Sequence, residues 1–281
     1  YAVLWQNHAN EAINVIQTAR AAWTKASPLY EQAEGIVAGT LSLAQYDVIL
    51  DAGAAGNGDG SAPYDLTLAD GRVLVRPGNL FGVNESTLWG TWPDFTAPVQ
   101  ADFNRNGTIE FGEALPDAFV LQAASATLDQ YAGELATAAG AWTPTPSDAF
   151  TALVIMIPTM SEYFESWKNS RFVAGAASTQ RDFVVISRLA DIQDILGSLQ
   201  VVHDNVSPLI QRVNPDQDTD IGQGLADLKA FVADVYQQEQ GGKVFTAEEA
   251  ALLGAEAQNR ASAITGLVTQ AAAQLDIPLS Q

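Results

Sequence analysis

The residues best suited to chemistry lie together near the middle of the chain, in the run Asp102-Phe103-Asn104-Arg105-Asn106-Gly107-Thr108-Ile109-Glu110-Phe111-Gly112-Glu113. In this twelve-residue stretch Asp102, Asn104 and Asn106 supply side-chain oxygens at alternate positions, and Thr108 supplies a carbonyl. Glu113 closes the series with a carboxylate that can grip through both oxygens. Gly107 allows a sharp turn, and Ile109 fills the apolar position two residues on. That is the order of donors in an EF-hand loop, where a folded-back backbone gathers oxygens around a hard cation. It predicts bound calcium at Asp102, Asn104, Asn106, Thr108 and Glu113. Two of the side-chain donors are neutral amides, so the expected affinity is modest and the role structural. A capped turn without an ion is the competing reading.

Few other chemistries are open to this chain. It has no cysteine, which removes disulfides, thiolate nucleophiles, cysteine-bound zinc and iron–sulfur clusters. Its two histidines, His8 and His203, are too far apart in sequence to suggest a zinc constellation, and His203 continues an apolar stripe as a packed core residue would. There is no Gly-x-Ser-x-Gly elbow, P-loop, His-Glu-x-x-His helix or dinucleotide fingerprint, so no enzyme is expected. Acidic residues number 33 against 13 basic ones, for a net charge of −20, although only 16% of residues are charged and 47% are apolar. Such a balance repels phosphate backbones and anionic lipid and favours metal cations as partners. Acidity that merely keeps an apolar chain soluble is the competing reading. The best apolar run, Phe150 to Met160, is too short to span a bilayer and contains Pro158, so no membrane insertion is expected.

The elements that must position these residues are mostly helices. Ala2 to about Lys25 has no Gly or Pro and reads as a first helix. Ser27-Pro28 then offers a cap and a first-turn proline for a second, Leu29 to about Val37. From about Asp51 glycine and small polar residues predict a loop, and Tyr64–Leu68 with Val73–Val75 around the turn Ala69–Arg72 predicts a short hairpin. Pro98 and Val99 stand where an EF-hand would have its entering helix, while an exiting helix is plausible after Glu113. Helices resume from about Pro116 to Ala139, and again from Pro146 or Ser147 to about Phe172 with a kink at Pro158. Val185, Leu189, Ile192, Leu196 and Leu199 form a helical core stripe. Pro208 and Pro215 bracket a short element before a helix over Ile221–Gln238. Thr246 and Glu249 make a capping box for a last helix with the stripe Leu253, Ala257, Ile264, Val268, Ala271 and Leu275. The expected fold is all-α: one domain over residues 1–281, a bundle or two packed bundles of about six to eight helices, with a loop-rich insertion over residues 51–116.

Several segments resemble the imelysin-like family. They are Thr18-Ala19-Arg20-Ala21-Ala22-Trp23, Tyr30-Glu31-Gln32-Ala33-Glu34, Ser161-Glu162-Tyr163-Phe164-Glu165-Ser166-Trp167-Lys168-Asn169-Ser170-Arg171-Phe172-Val173, and Ile186-Ser187-Arg188-Leu189-Ala190-Asp191-Ile192. The family includes EfeO-type components of iron uptake, cyanobacterial iron-regulated proteins and, more distantly, algal iron-assimilation proteins. The resemblance covers most of the chain and is weakest over Gly53 to Thr96. It implies a periplasmic, all-helical protein that binds iron for uptake, with a membrane iron transporter as partner. The chain opens at Tyr1 inside a segment that already reads as helix, so an export signal is expected to have been removed. An older classification placed the family among metallopeptidases around a His-x-x-Glu motif. His8-Ala9-Asn10-Glu11 fits that pattern but lies upstream of Trp23 rather than downstream of Tyr30–Glu34, so the motif is not carried onto it.

If iron is the cargo, hard oxygen donors are its natural ligands. Tyr30 and Glu34 are four apart on one helix face, with Glu31 beside them. Tyr163, Trp167 and Arg171 are also four apart, and Lys168 adjoins them. Glu85 and Asp191 add carboxylates. The candidate iron ligands are therefore Tyr30, Glu34, Glu85, Tyr163 and Asp191, with Lys168, Arg171 and Arg188 as candidate anchors for an accompanying anion. Each has a plain alternative. Glu31 and Glu34 suit a solvated acidic face, Tyr163 and Trp167 an aromatic core stripe, and Arg188 with Asp191 a surface pair. Glu85 suits a helix N-terminus. A calcium-stiffened binding module for a peptide, small anion or partner protein is the rival function, and a metallopeptidase a more remote one.

Overall fold

A computed structural model describes residues 1–280. The first segment forms one helix, α1 (Ala2–Val37), which runs through Pro28 instead of breaking there. A proline within a helix gives up its own N–H bond but leaves the flanking turns able to continue. The departure from helical angles falls at His8 (φ −136°, ψ 30°) instead. A short helix α2 (Ala44–Asp47) leads into a wide π-type turn, Val48–Ala52.

The chain divides into two compact units. One comprises Tyr1–Ser27 and Tyr46–Thr137; the other comprises Pro28–Gln45 and the residues from Ala138 onward. In the first unit the glycine-rich stretch is a loop, as its composition predicts, and strands β1 (Leu66–Thr67) and β2 (Val73–Leu74) form the expected antiparallel hairpin, with Leu66 opposite Leu74. Helix α3 (Leu80–Trp89) is buried along its whole length and capped by the Asn79 side chain, which accepts from the Gly82 N–H. Strands β3 (Thr96–Gln100) and β4 (Ala114–Pro116) pair antiparallel and bracket residues 102–113. Both flanks of that loop are thus strands, and β4 takes the place of the expected exiting helix. Pro116 forces the residue before it into extended conformation, which delays the next helix. That helix, α4 (Ala118–Ala141), begins after Asp117, whose carboxylate accepts from the Phe119 and Val120 N–H groups. A small core of Ile16, Ala97, Ala101 and Leu115 binds α1 to the two strands, with Trp5 and Phe103 packed against it.

The second unit is built of helices, with a non-helical stretch over residues 178–187 ahead of α8. Helix α5 (Pro146–Met156) opens with a capping box between Thr145 and Asp148. At Pro158 the chain tightens into a 3-10 turn, Ile157–Thr159, and continues as α6 (Met160–Asn169). Extended backbone at Ser170 (ψ 171°) ends α6 three residues earlier than the pattern suggests, and Arg171 starts a separate short helix, α7 (Arg171–Ala174). Helix α8 (Arg188–Ile210) carries four of the five residues of the predicted stripe, Leu189, Ile192, Leu196 and Leu199, all fully buried; Val185 falls ahead of the helix and is partly buried, and α8 absorbs Pro208. Helix α9 (Pro215–Gln240) begins at Pro215, capped by Asn214, several residues ahead of the expected Ile221. Helix α10 (Ala247–Gln274) opens with the predicted Thr246–Glu249 capping box. One continuous core, from Phe150 through Trp167, Leu189 and Val232 to Val268, joins α5, α6, α8, α9 and α10. No helix of the described residues is long and apolar enough to cross a membrane.

Candidate functional site

Within the second unit, three elements bring acids, a phenol and a guanidinium into one buried place. The last turns of α1 supply Glu31 and Glu34, α6 supplies Tyr163, and the first turn of α8 supplies Arg188 and Asp191. All five are at most 9% exposed. The reason lies in register: on α1 the buried positions run Trp23, Ser27, Glu31, Glu34 and Val37, so two carboxylates occupy a stripe that spacing reserves for core residues. The Tyr163 hydroxyl donates to Glu34 Oε1 at 2.8 Å. Arg188 Nη1 stands 3.6 Å from Glu31 Oε2 and 3.4 Å from Asp191 Oδ2. Its guanidinium is also sandwiched near two rings, 4.5 Å from the centre of Tyr163 and 4.2 Å from that of Phe183. A carboxylate oxygen of Glu31 and one of Glu34 lie within 4.8 Å of each other.

Two of the three buried carboxylates, Glu31 and Asp191, therefore face the guanidinium, and the third, Glu34, is held by the Tyr163 hydroxyl. Burying a charge costs several kcal/mol unless it is paired, and Glu34 Oε2, itself buried, has no hydrogen-bond partner among the described residues. Neighbouring acids feel the same low-dielectric surroundings. Burial pushes the Asp182 carboxyl up, while Arg181 and Arg188 pull it the other way. Asp194 and Glu239 are also raised by burial. Glu239, in the last turn of α9, accepts from Trp167 Nε1 at 2.6 Å. Burial raises the Tyr236 phenol as well, and the charges of Glu239, Asp191 and Asp194 add to that rise.

Of the residues singled out from sequence, Glu34, Tyr163, Asp191 and Arg188 converge here. Tyr30 is partly buried on the same helix. Lys168 projects elsewhere and pairs with Glu165, and Arg171 belongs to α7, so the face shared by Tyr163, Trp167 and Arg171 ends at Trp167. Glu85 belongs to the first unit, buried on α3 at 4% exposure. Glu31, noted beside Glu34 in the sequence but not among the candidate ligands, is buried with it, and Glu239, Asp182 and Phe183 were not singled out. One signal was available for Glu239: it continues the buried series Leu225, Leu228, Val232 and Val235 at helical spacing. His203 is a buried core residue whose Nε2 lies 3.1 Å from Asp218 Oδ1.

The first unit holds the twelve-residue loop. Asp102 accepts from the Asn106 and Gly107 N–H groups, the latter at 2.7 Å. Asn104 Oδ1 accepts from the Asn106 N–H, and Asn106 Oδ1 from both the N–H and hydroxyl of Thr108. Glu113 Oε1 accepts from the Phe103 and Asn104 N–H groups and Oε2 from that of Glu110. Gly107 takes φ +86°, where a side chain would be strained. The oxygens that an EF-hand order would present to an ion thus cross one short loop: both Asp102 oxygens, Asn104 Oδ1 and Glu113 Oε2 accept one of these bonds each, while Asn106 Oδ1 and Glu113 Oε1 accept two. His8 Nδ1 and Glu11 Oε2, 3.1 Å apart, are both exposed, and among the described residues no acid or histidine completes a cluster of three with them.

A family model described as Imelysin (Peptidase M75) matches residues 8–274, nearly the whole chain. No curated protein and no solved structure matches it.

Proposed function

The chain belongs to the imelysin family, and from that premise we propose that it is an exported, periplasmic iron-binding protein of an iron-uptake system, with calcium held as a structural ion between Asp102 and Glu113. The observation that carries the iron reading is the buried surplus of carboxylate in the second unit, with one oxygen of Glu34 left without a partner. Iron is cargo here, and the chain supplies hard oxygen for it. Glu34 and Glu31 would bind through carboxylate oxygens. Tyr163 would exchange its hydrogen bond to Glu34 for the metal, giving up its proton. Asp191 would stay paired with Arg188, whose guanidinium also faces Glu31 and lies between the Tyr163 and Phe183 rings. A membrane iron transporter is the partner this role requires. The outlying pair His8–Glu11 gives no support to peptidase chemistry, and Glu85 carries no weight in the proposal.

Titrating metal-free protein with ferric and ferrous iron at fixed calcium tests the reading. Saturable binding is expected, with a visible phenolate-to-iron absorption if Tyr163 coordinates the ferric ion. Glu34→Gln should weaken binding at least about tenfold, or ~1.4 kcal/mol, while leaving the helical content unchanged. Absence of saturable binding, or an unchanged affinity in the variant, would defeat it.

A further inference from the structure

Three contacts radiate from the loop 102–113 to a single target, the first half of α1. Phe103 stacks its ring 5.7 Å from that of Trp5. Arg105, held at φ +60°, donates from Nη2 to Asn10 Oδ1 at 2.9 Å. The Gly112 carbonyl accepts from Arg20 Nη2 at 2.5 Å. Arg20 is the centre of this attachment. Its Nε and Nη2 also donate to the Leu88 carbonyl at 3.0 and 2.7 Å, and its guanidinium lies over the rings of Trp89 and Phe103 at 5.3 and 5.5 Å. One side chain on α1 therefore joins the last turn of α3 to both ends of the loop.

This part of α1 has little else to hold it. Between Ala2 and Ser27 only Ile16, Trp23 and Ser27 are buried, while Val3 and Val15 are each 69% exposed. The small core around Ile16 is itself built from β3 and β4, the strands that enter and leave the loop. In the loop, Asp102, Glu110 and Glu113 gather three carboxylates with Arg105 as the loop's only basic residue. Without a cation these charges repel and favour an open loop; with one they draw together.

We infer that calcium in the loop works as a clamp on α1: binding there fixes Phe103, Arg105 and the Gly112 carbonyl, and so seats residues 2–27 on β3, β4 and α3 through Arg20. The inference rests on the calcium reading above and extends it from a static ion to a switchable attachment. Coupling of this kind is reciprocal, so loosening α1 must weaken calcium by the same factor that removing calcium loosens α1.

Hydrogen exchange on the whole protein, in calcium and in chelator, provides the test, alongside calorimetric titration of calcium. In the wild type, chelation should speed exchange about tenfold in both residues 102–113 and residues 2–27, with no change in α9 and α10. Arg20→Gln should lower calcium affinity by about the same factor and abolish the response of α1. Asn10→Ala, a milder change on an exposed residue, should do so partially and serves if Arg20→Gln fails to fold. If calcium binds and protects the loop while residues 2–27 exchange at the same rate with and without it, the clamp is wrong and the calcium site stands. If calcium does not bind at all, both fail.

Discussion

At the scale of single residues, the informative positions are those where a charge sits on a stripe meant for hydrocarbon. Glu31, Glu34 and Glu239 each occupy such a place, and for Glu239 the consequence can be read against pH. Burial raises its folded pKa above the ordinary carboxylate value, with the Trp167 and Ser187 hydrogen bonds opposing the rise. The fold therefore favours the protonated form. Its stabilising contribution is fully present below the unfolded pKa, about 4.3, and is lost as pH rises through the elevated folded value. Glu239→Gln mimics the protonated acid and can still accept from Trp167. From about pH 4 upward, the melting temperature of the variant should gain on that of the wild type and level off once the pH has passed the raised folded value. Parallel curves would mean that Glu239 titrates as it does in the unfolded chain.

At the scale of elements, much of the architecture is legible because it depends on local rules. Thr246 and Glu249 announce α10 by hydrogen-bonding chemistry confined to four residues, and Leu189, Ile192, Leu196 and Leu199 announce the inner face of α8 by spacing alone. The hairpin of β1 and β2 follows from alternation and a glycine turn. The readings that shifted depend on neighbours more distant in sequence. Pro28 stays inside α1, and β3 pairs with β4 across a loop that local pattern alone would have flanked with a helix. The site divides in the same way. The oxygen order of Asp102–Glu113 is a local pattern, whereas the meeting of Glu34 with Tyr163, 129 residues away, is a product of packing. Packing also sets a limit at Gly39, just past α1. A Cβ there would come within 2.6 Å of the Ala152 backbone on α5. No rotamer change can relieve a clash with main chain, so Gly39→Ala should cost about 1–3 kcal/mol in urea-induced unfolding. A loss below about 0.5 kcal/mol, the range of ordinary surface changes, would show that α1 and α5 separate there at little cost.

At the scale of the whole molecule, the dominant fact is charge: 33 acidic residues against 13 basic ones, net −20. Mutual repulsion among them works against the folded state, and salt screens it, shortening the Debye length from about 30 Å at 0.01 M to about 10 Å at 0.1 M. The same salt weakens favourable pairs such as Lys243 with Glu249 and Arg260 with Glu256. Exposed pairs of this kind are worth only about 0–1 kcal/mol each, and 13 basic residues cannot form many. Repulsion should therefore win. Moving from about 0.01 M to 0.5 M sodium chloride at neutral pH, with calcium saturating throughout, should raise the melting temperature by roughly 2–6 °C, on the scale of about 2–4 °C per kcal/mol for a chain of this size. A flat or falling curve would mean that the acids are already neutralised where they stand, by protons or by pairing, and the buried carboxylates of the second unit would then have no unmet charge to offer a metal.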